Sequence, residues 1–166
     1  MNISVKMAAI LAVASMGLAG CSGETVDDVS AAKADSGSAN GLPSMVAYRS
    51  PSCGCCELWV EHMRAAGFEV DVQVVNNLST IKTDAGIPAG KGSCHTATVG
   101  DYVVEGHVPA ADIKRLLAES PDARGLTVPG MVAGSPGMEQ SGRSDPYDVL
   151  LIANDGSTSV YSSYGR

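Results

Sequence analysis

Three cysteines stand within four positions of the stretch Ser50-Pro51-Ser52-Cys53-Gly54-Cys55-Cys56-Glu57-Leu58-Trp59. Thiolates bind soft metals and attack disulfides, so the chemistry to weigh is metal binding against thiol–disulfide exchange. Cys53 and Cys56 have the C-x-x-C spacing of thiol–disulfide oxidoreductases, and Cys55 is superfluous to that reaction. A fourth thiol, Cys94, is followed directly by His95. His107 stands in Glu105-Gly106-His107-Val108-Pro109, while Met131 and Met138 each follow a Pro-Gly pair. Thiolate and thioether donors favour Cu(I), and structural zinc sites usually present C-x₂-C twice rather than C-x-C-C plus C-H. Cys53, Cys55, Cys56 and Cys94 are therefore candidate copper ligands, with His95, His107, Met131 and Met138 as further candidates. Each has a plainer reading. The cysteines could form two structural disulfides, the methionines could plug irregular core gaps, and His107 could be a polar turn residue. His62 reads as a solvated helix flank.

These residues need elements to position them. A short apolar run, Met45 to Tyr48, reads as a strand just before the cysteines. From Cys56, apolar residues recur at Trp59, Val60 and Met63, the spacing of a helix with one buried face. Ser52 is the expected N-cap of that helix. Helix geometry then turns Cys56 toward the core and Cys55 about 100° away, on the flank carrying His62. Free N–H groups and the helix dipole at such a start favour thiolate. Such a fan of sulfurs suits several soft-metal bonds better than a single disulfide.

Phe68 to Val75 alternates apolar and polar residues, as a half-buried strand does, and Leu78 to Ala85 reads as a short helix. Cys94 to Val99 and Tyr102 to Glu105 form a hairpin turned by Gly100-Asp101. Pro109 opens another helix with Ile113, Leu116 and Leu117 on its core face, and Pro121 stops it. The order is strand, helix, strand, helix, hairpin, helix, which implies a sheet covered by helices. Beyond Pro121 come a loop rich in Gly and Pro and a last hairpin, Tyr147 to Ala153 with Thr158 to Tyr161.

The N-terminus carries export signals. Lys6 is followed by an apolar run from Met7 to Leu18, too short to span a bilayer comfortably, so residues 1–20 read as a signal peptide. Leu18-Ala19-Gly20-Cys21 resembles a bacterial lipobox, which implies cleavage before Cys21 and a lipid on it. Ser22 after it slightly favours the outer membrane, on the periplasmic face. Residues 21–43 then read as a lipidated cysteine and a disordered tether, and 44–166 as one domain. The chain carries 18 acidic and 11 basic residues, net −7. With no basic stripe, nucleic acid is not an expected partner.

The order of elements, with a cysteine cluster after the first strand, resembles the thioredoxin fold. Ser93-Cys94-His95 stands where that fold usually has a cis-proline, which weakens the redox-enzyme analogy and favours a metal site. C-G-C-C before a helix, then G-x-C-H-T, E-G-H-V-P, V-P-G-M and S-P-G-M-E, resembles the CopG-type family of periplasmic copper proteins, which carry the domain of unknown function 411. The resemblance implies an α/β thioredoxin-like fold with a C-terminal loop and β-hairpin extension. It also implies copper at Cys53, Cys55, Cys56 and Cys94, with His95 beside them. Thiolate bridging could hold more than one ion per chain. The implied role is copper resistance by Cu(I) sequestration, with Cu(I)/Cu(II) interconversion as a further capacity and periplasmic copper-transport proteins as partners. The competing class is a thiol–disulfide oxidoreductase using Cys53 and Cys56. Whether the site turns over is left open.

Overall fold

The computed structural model describes residues 41–139 and 142–166. Ten elements follow in chain order: β1 (Met45–Arg49), α1 (Gly54–Ala65), β2 (Val70–Val74), α2 (Ser79–Asp84), β3 (His95–Val99), β4 (Tyr102–Glu105), α3 (Ala110–Glu119), β5 (Gly125–Thr127), β6 (Tyr147–Ile152) and β7 (Thr158–Tyr164). The strands form one seven-stranded sheet in the order β2-β1-β3-β4-β5-β6-β7. Its first four strands have the thioredoxin-like arrangement. β2 runs parallel to β1, and β3 runs antiparallel to both β1 and β4.

The core lies on one face of this sheet. Met45 pairs with Val99, Ala47 with Ala97, Ala97 with Val104, and Val104 with Leu126, so alternation puts all of them on the same side. Trp59, Val60 and Met63 of α1 and Ile113 and Leu116 of α3 pack into one cluster with them. Each large side chain buried there contributes about 1.5–3 kcal/mol. The helical spacing from Cys56 is borne out, since Cys56, Trp59, Val60 and Met63 are the buried residues of α1. Trp59 Nε1 also donates to the Val108 carbonyl at 2.9 Å, which ties α1 to the segment before α3.

The C-terminal part holds the expected loop and hairpin, and adds a strand that was not expected. Gly125–Thr127 forms a short strand parallel to β4, and β6 pairs with it antiparallel. The last hairpin is thereby spliced into the main sheet. Three residues that begin with glycine and sit between two prolines carry no alternation, so periodicity could not reveal β5. Side chains fasten the outer hairpin to α3. Buried Asp112 accepts hydrogen bonds from Ser162 Oγ at 2.8 Å and Tyr164 Oη at 2.6 Å, and the Arg115 guanidinium lies 3.7 Å from the Tyr161 ring centroid.

The expected signal peptide, Cys21 and most of the tether lie outside the described residues. Leu42, at the start of the described chain, packs half-buried against the core. Among the described residues no helix is long and apolar enough to cross a membrane.

Candidate metal centre

The loop from β1 into α1 delivers three of the four sulfurs. Arg49, at the end of β1, donates to Glu57 at 2.9 Å and to the Ser50 carbonyl at 3.1 Å, closing the turn before the cysteines. Cys53 itself occupies the N-cap position, and its side chain makes no capping hydrogen bond. Ser52 therefore does not cap the helix, contrary to expectation. It is exposed in the preceding turn. Cys55 and Cys56 lie in the first helical turn, with Cys56 buried and Cys55 half-buried, as the helical wheel requires.

β3 and β4 deliver the rest. Cys94 immediately precedes β3, and its Sγ lies 3.4 Å from Cys56 Sγ and 4.0 Å from Cys55 Sγ. Cys55 Sγ is in turn 3.5 Å from Cys53 Sγ. Cys53, Cys55, Cys56 and Cys94 thus form one group whose sulfurs all lie within 4.8 Å of one another. Cys94, His95 and His107 form a second group of the same tightness, so Cys94 belongs to both. Cys53 and Cys56 are joined in a disulfide, while Cys55 and Cys94 are free. The reading of two structural disulfides is therefore not what the fold contains. The fan of sulfurs likewise does not prevent a C-x-x-C bond, because the N-cap and third helical residues remain within reach of each other.

Both imidazoles are shaped as neutral donors. His107 Nδ1 lies 2.8 Å from the Pro136 carbonyl, which can only accept, so Nδ1 carries the proton. Its unprotonated Nε2 then faces Cys94 Sγ at 3.1 Å. Fixing one ring nitrogen so that the other is free to bind is the usual outer support of a metal-ligating histidine. Burial pushes the His107 imidazolium below the usual histidine range. Burial, then the charges of His107 and Lys82, pushes His95 well below it. His95 packs against Trp59 with ring centroids 4.4 Å apart and planes tilted by 44°, and its Nδ1 is 3.4 Å from Cys94 Sγ. Its Nε2 is buried without a hydrogen-bond partner, a costly state for either tautomer. Cys94, by contrast, is pushed up to about 11, first by burial and then by the neighbouring Cys55. It is a thiol at neutral pH, so any metal there must displace its proton.

The loop after β5 roofs the centre. Gly137 has φ +83°, and a Cβ on it would lie 2.7 Å from Trp59 N and 2.8 Å from the Cys55 carbonyl oxygen. Only glycine lets Pro136 approach α1 closely enough to hold His107. Met138 is half-buried on this loop, with its backbone N donating to Ser135. Met131 is 60% exposed, so it does not plug the core. It follows Gly130, whose carbonyl accepts from Ser93 Oγ and whose N–H donates to Gly92, beside Cys94. His62 lies on the flank of α1 but is not simply solvated, since its Nε2 accepts from Ala110 N at 3.4 Å at the start of α3.

One supporting group escaped the sequence reading. Glu105 is fully buried and accepts from Lys82 Nζ and Ser93 N, each at 2.5 Å, and from Thr96 Oγ1 at 2.7 Å. Lys82 Nζ also contacts the His95 carbonyl at 3.4 Å. This network sits on the sheet face opposite the apolar core and binds α2, β3 and β4 to the residue before Cys94. Its signal was a charged residue at the end of a strand, directly before Gly106-His107. Strand ends commonly carry charges, so the signal had no contrast.

The donor set is chemically coherent: four sulfurs and two neutral ring nitrogens, two of the sulfurs requiring reduction before they can bind. It suits a soft or borderline transition metal and lacks the oxygen ligands that calcium or magnesium need.

Residues 91–138 match the family described as "Protein of unknown function, DUF411". A search of curated proteins gives no match. Two solved structures are similar to this chain. Copper resistance protein CopG, form 2, is 44% identical with a TM-score of 0.71, covering 75% of this chain and 98% of its own. Form 1 is 43% identical with a TM-score of 0.70, covering 74% and 98%. Identity at this level over nearly the whole of a solved relative, together with the matched segment that holds Cys94, His95 and His107, places this chain in the CopG-type family that carries the domain of unknown function 411.

Proposed function

We propose that this protein binds copper in copper resistance, sequestering Cu(I) at Cys53, Cys55, Cys56 and Cys94, with His95 and His107 completing the donor set. The observation that carries this reading is the convergence of four sulfurs, one of them drawn from 38 positions away in sequence. A fold that places a distant thiol against a local cluster builds a site for bridged soft ions, and more than one copper per chain fits six donors. The similarity to copper resistance proteins supports the choice of metal. Interconversion of Cu(I) and Cu(II) belongs to the same reading, because sulfur favours the first state and imidazole accommodates the second. Met131 and Met138 are auxiliary thioether donors in this reading, Met131 at the exposed rim.

The same reading takes residues 1–20 as a signal peptide and Cys21 as the lipidated residue. Residues 21–43 are the tether and 44–166 the copper-binding domain, held at the periplasmic face of a membrane. Competition of the reduced protein against a Cu(I) chelator and against Zn(II) tests the metal assignment. Cu(I) is expected to be retained far more tightly, and a preference for zinc under reducing conditions would overturn it.

A second reading, thiol–disulfide oxidoreductase, is favoured by one observation, the Cys53–Cys56 disulfide. Turnover of a protein disulfide substrate with a thiol reductant would support it. Absence of turnover alongside tight Cu(I) binding would leave the disulfide as a feature of the copper site.

A further inference from the structure

The disulfide and the metal donors are the same atoms, and that overlap has chemical content. In the oxidised chain Cys53 and Cys56 are spent as donors, yet Cys55, Cys94, His95 and His107 remain, two sulfurs and two ring nitrogens. Each free sulfur lies against one sulfur of the bonded pair, Cys55 Sγ at 3.5 Å from Cys53 Sγ and Cys94 Sγ at 3.4 Å from Cys56 Sγ. A copper ion held by either free sulfur would therefore border a sulfur that can gain or lose an electron.

Resting on the copper reading above, we propose that Cys53 and Cys56 are the built-in electron source of a cupric-reducing centre, in which the pair closes to its disulfide as two Cu(II) ions become two Cu(I). The balance is complete. The two thiols lose two protons and two electrons, one S–S bond forms, and each Cu(II) takes one electron. The protons leave to solvent, and the Cu(I) produced stays with Cys55, Cys94, His95 and His107. The oxidant is the cupric ion itself. A dithiol reductant, either a small molecule or a protein with its own C-x-x-C pair, returns Cys53 and Cys56 to thiols by exchange.

This division of labour accounts for both oddities of the motif. Cys55 is superfluous to dithiol exchange but is needed as a donor once its neighbours are bonded. Cys94 occupies the position from which a sulfur both touches Cys56 and shares its other side with two histidines. A cluster meant only to store Cu(I) would gain nothing from the C-x-x-C spacing. A plain dithiol enzyme would gain nothing from two neutral imidazoles beside Cys94.

The test uses the full-length chain, fully reduced and freed of reductant under argon. Two equivalents of Cu(II) are added, and three quantities are read: loss of the cupric electron paramagnetic resonance signal, Cu(I) captured by a chromogenic chelator, and the thiols remaining after denaturation and alkylation. Trypsin cleavage after Arg49 and Arg64 yields one peptide holding Cys53, Cys55 and Cys56. The expected result is two Cu(I) per chain, with that peptide alkylated once, on Cys55, and Cys94 alkylated on its own peptide. Cys53→Ser should slow reduction at least tenfold. A disulfide mapped to any other pair, a persistent cupric signal, or equally fast reduction by Cys53→Ser would overturn the proposal. Failure of the underlying copper reading looks different, because neither oxidation state would then survive desalting with the protein.

Discussion

The two halves of the centre are built by different means. Cys53, Cys55 and Cys56 come from one turn of chain at the start of α1, so their nearness costs little more than forming the helix. Cys94, His95 and His107 come from the ends of β3 and β4, and they meet the first three only because β1 pairs with β3. The first half is local, and two of its three sulfurs are joined in a disulfide. The second is reduced, protonated at Cys94, and dependent on a buried ion pair and a loop that roofs it. The contrast teaches that a metal site can take its reactivity from a short motif while the fold supplies its selectivity.

The sharpest way to break the comparison is at the buried support of the second half. Lys82→Met leaves Glu105 a fully buried carboxylate with only Ser93 N and Thr96 Oγ1 as donors. Removing one partner of a buried pair typically costs about 3–5 kcal/mol, and the lower end is expected because Lys82 is partly exposed. Urea denaturation measures this, and a loss under about 1 kcal/mol would mean that Glu105 does not depend on Lys82.

The local half predicts a smaller effect. Opening the Cys53–Cys56 bond releases a very short loop, for which the chain-entropy relation gives about 2 kcal/mol of lost stability in the metal-free protein. Melting with and without reductant checks it, and Cys55→Ser should leave that difference intact.

Gly137→Ala tests the roof. An alanine forced into the left-handed region costs about 1–2 kcal/mol, and the crowding against Trp59 N and the Cys55 carbonyl must displace the loop. Losing the Pro136 contact should lower copper affinity by about 10–100-fold, as loss of outer support does for metal-bound histidines. Unchanged affinity in a folded variant would show that His107 needs no such hold.

The gentlest probe is pH. With Cys94 pushed up to about 11, metal must displace its proton across the neutral range. Apparent copper affinity is therefore expected to rise by about tenfold per pH unit for that one proton. The sign for the metal-free fold is the opposite. The folded thiol holds its proton more tightly than the unfolded one, so its contribution to stability is full below pH 9 and is lost as pH rises toward about 11. Affinity titrations and melts across this range separate the two trends.

Much of the first half was legible in sequence because it is written in helical periodicity. Cys56, Trp59, Val60 and Met63 declare a buried face, and C-x-x-C declares its own chemistry. The hairpin of β3 and β4 was legible from Gly100-Asp101. The second half was legible as residues but not as a place. Nothing local to His107 announces that Pro136 will orient it, because that contact spans 29 positions and depends on Gly137 fitting against α1. Glu105 and Lys82 were opaque for the same reason, since a buried ion pair looks like two ordinary surface charges until the fold brings them together. β5 was lost because a strand of three residues owes its existence to its neighbours rather than to its own pattern.

The central claim is that Cys94, carried in by the fold, completes the copper site. Thermal melts of the parent and of Cys94→Ser, each with and without Cu(I) under reductant, test it directly. Because Cys94 is in no disulfide, the serine variant should melt close to the parent when metal-free. Cu(I) should raise the melting temperature of the parent, and most of that rise should vanish in the variant. An undiminished Cu(I)-dependent rise in Cys94→Ser would show that the site is local to Cys53, Cys55 and Cys56, and would contradict the account.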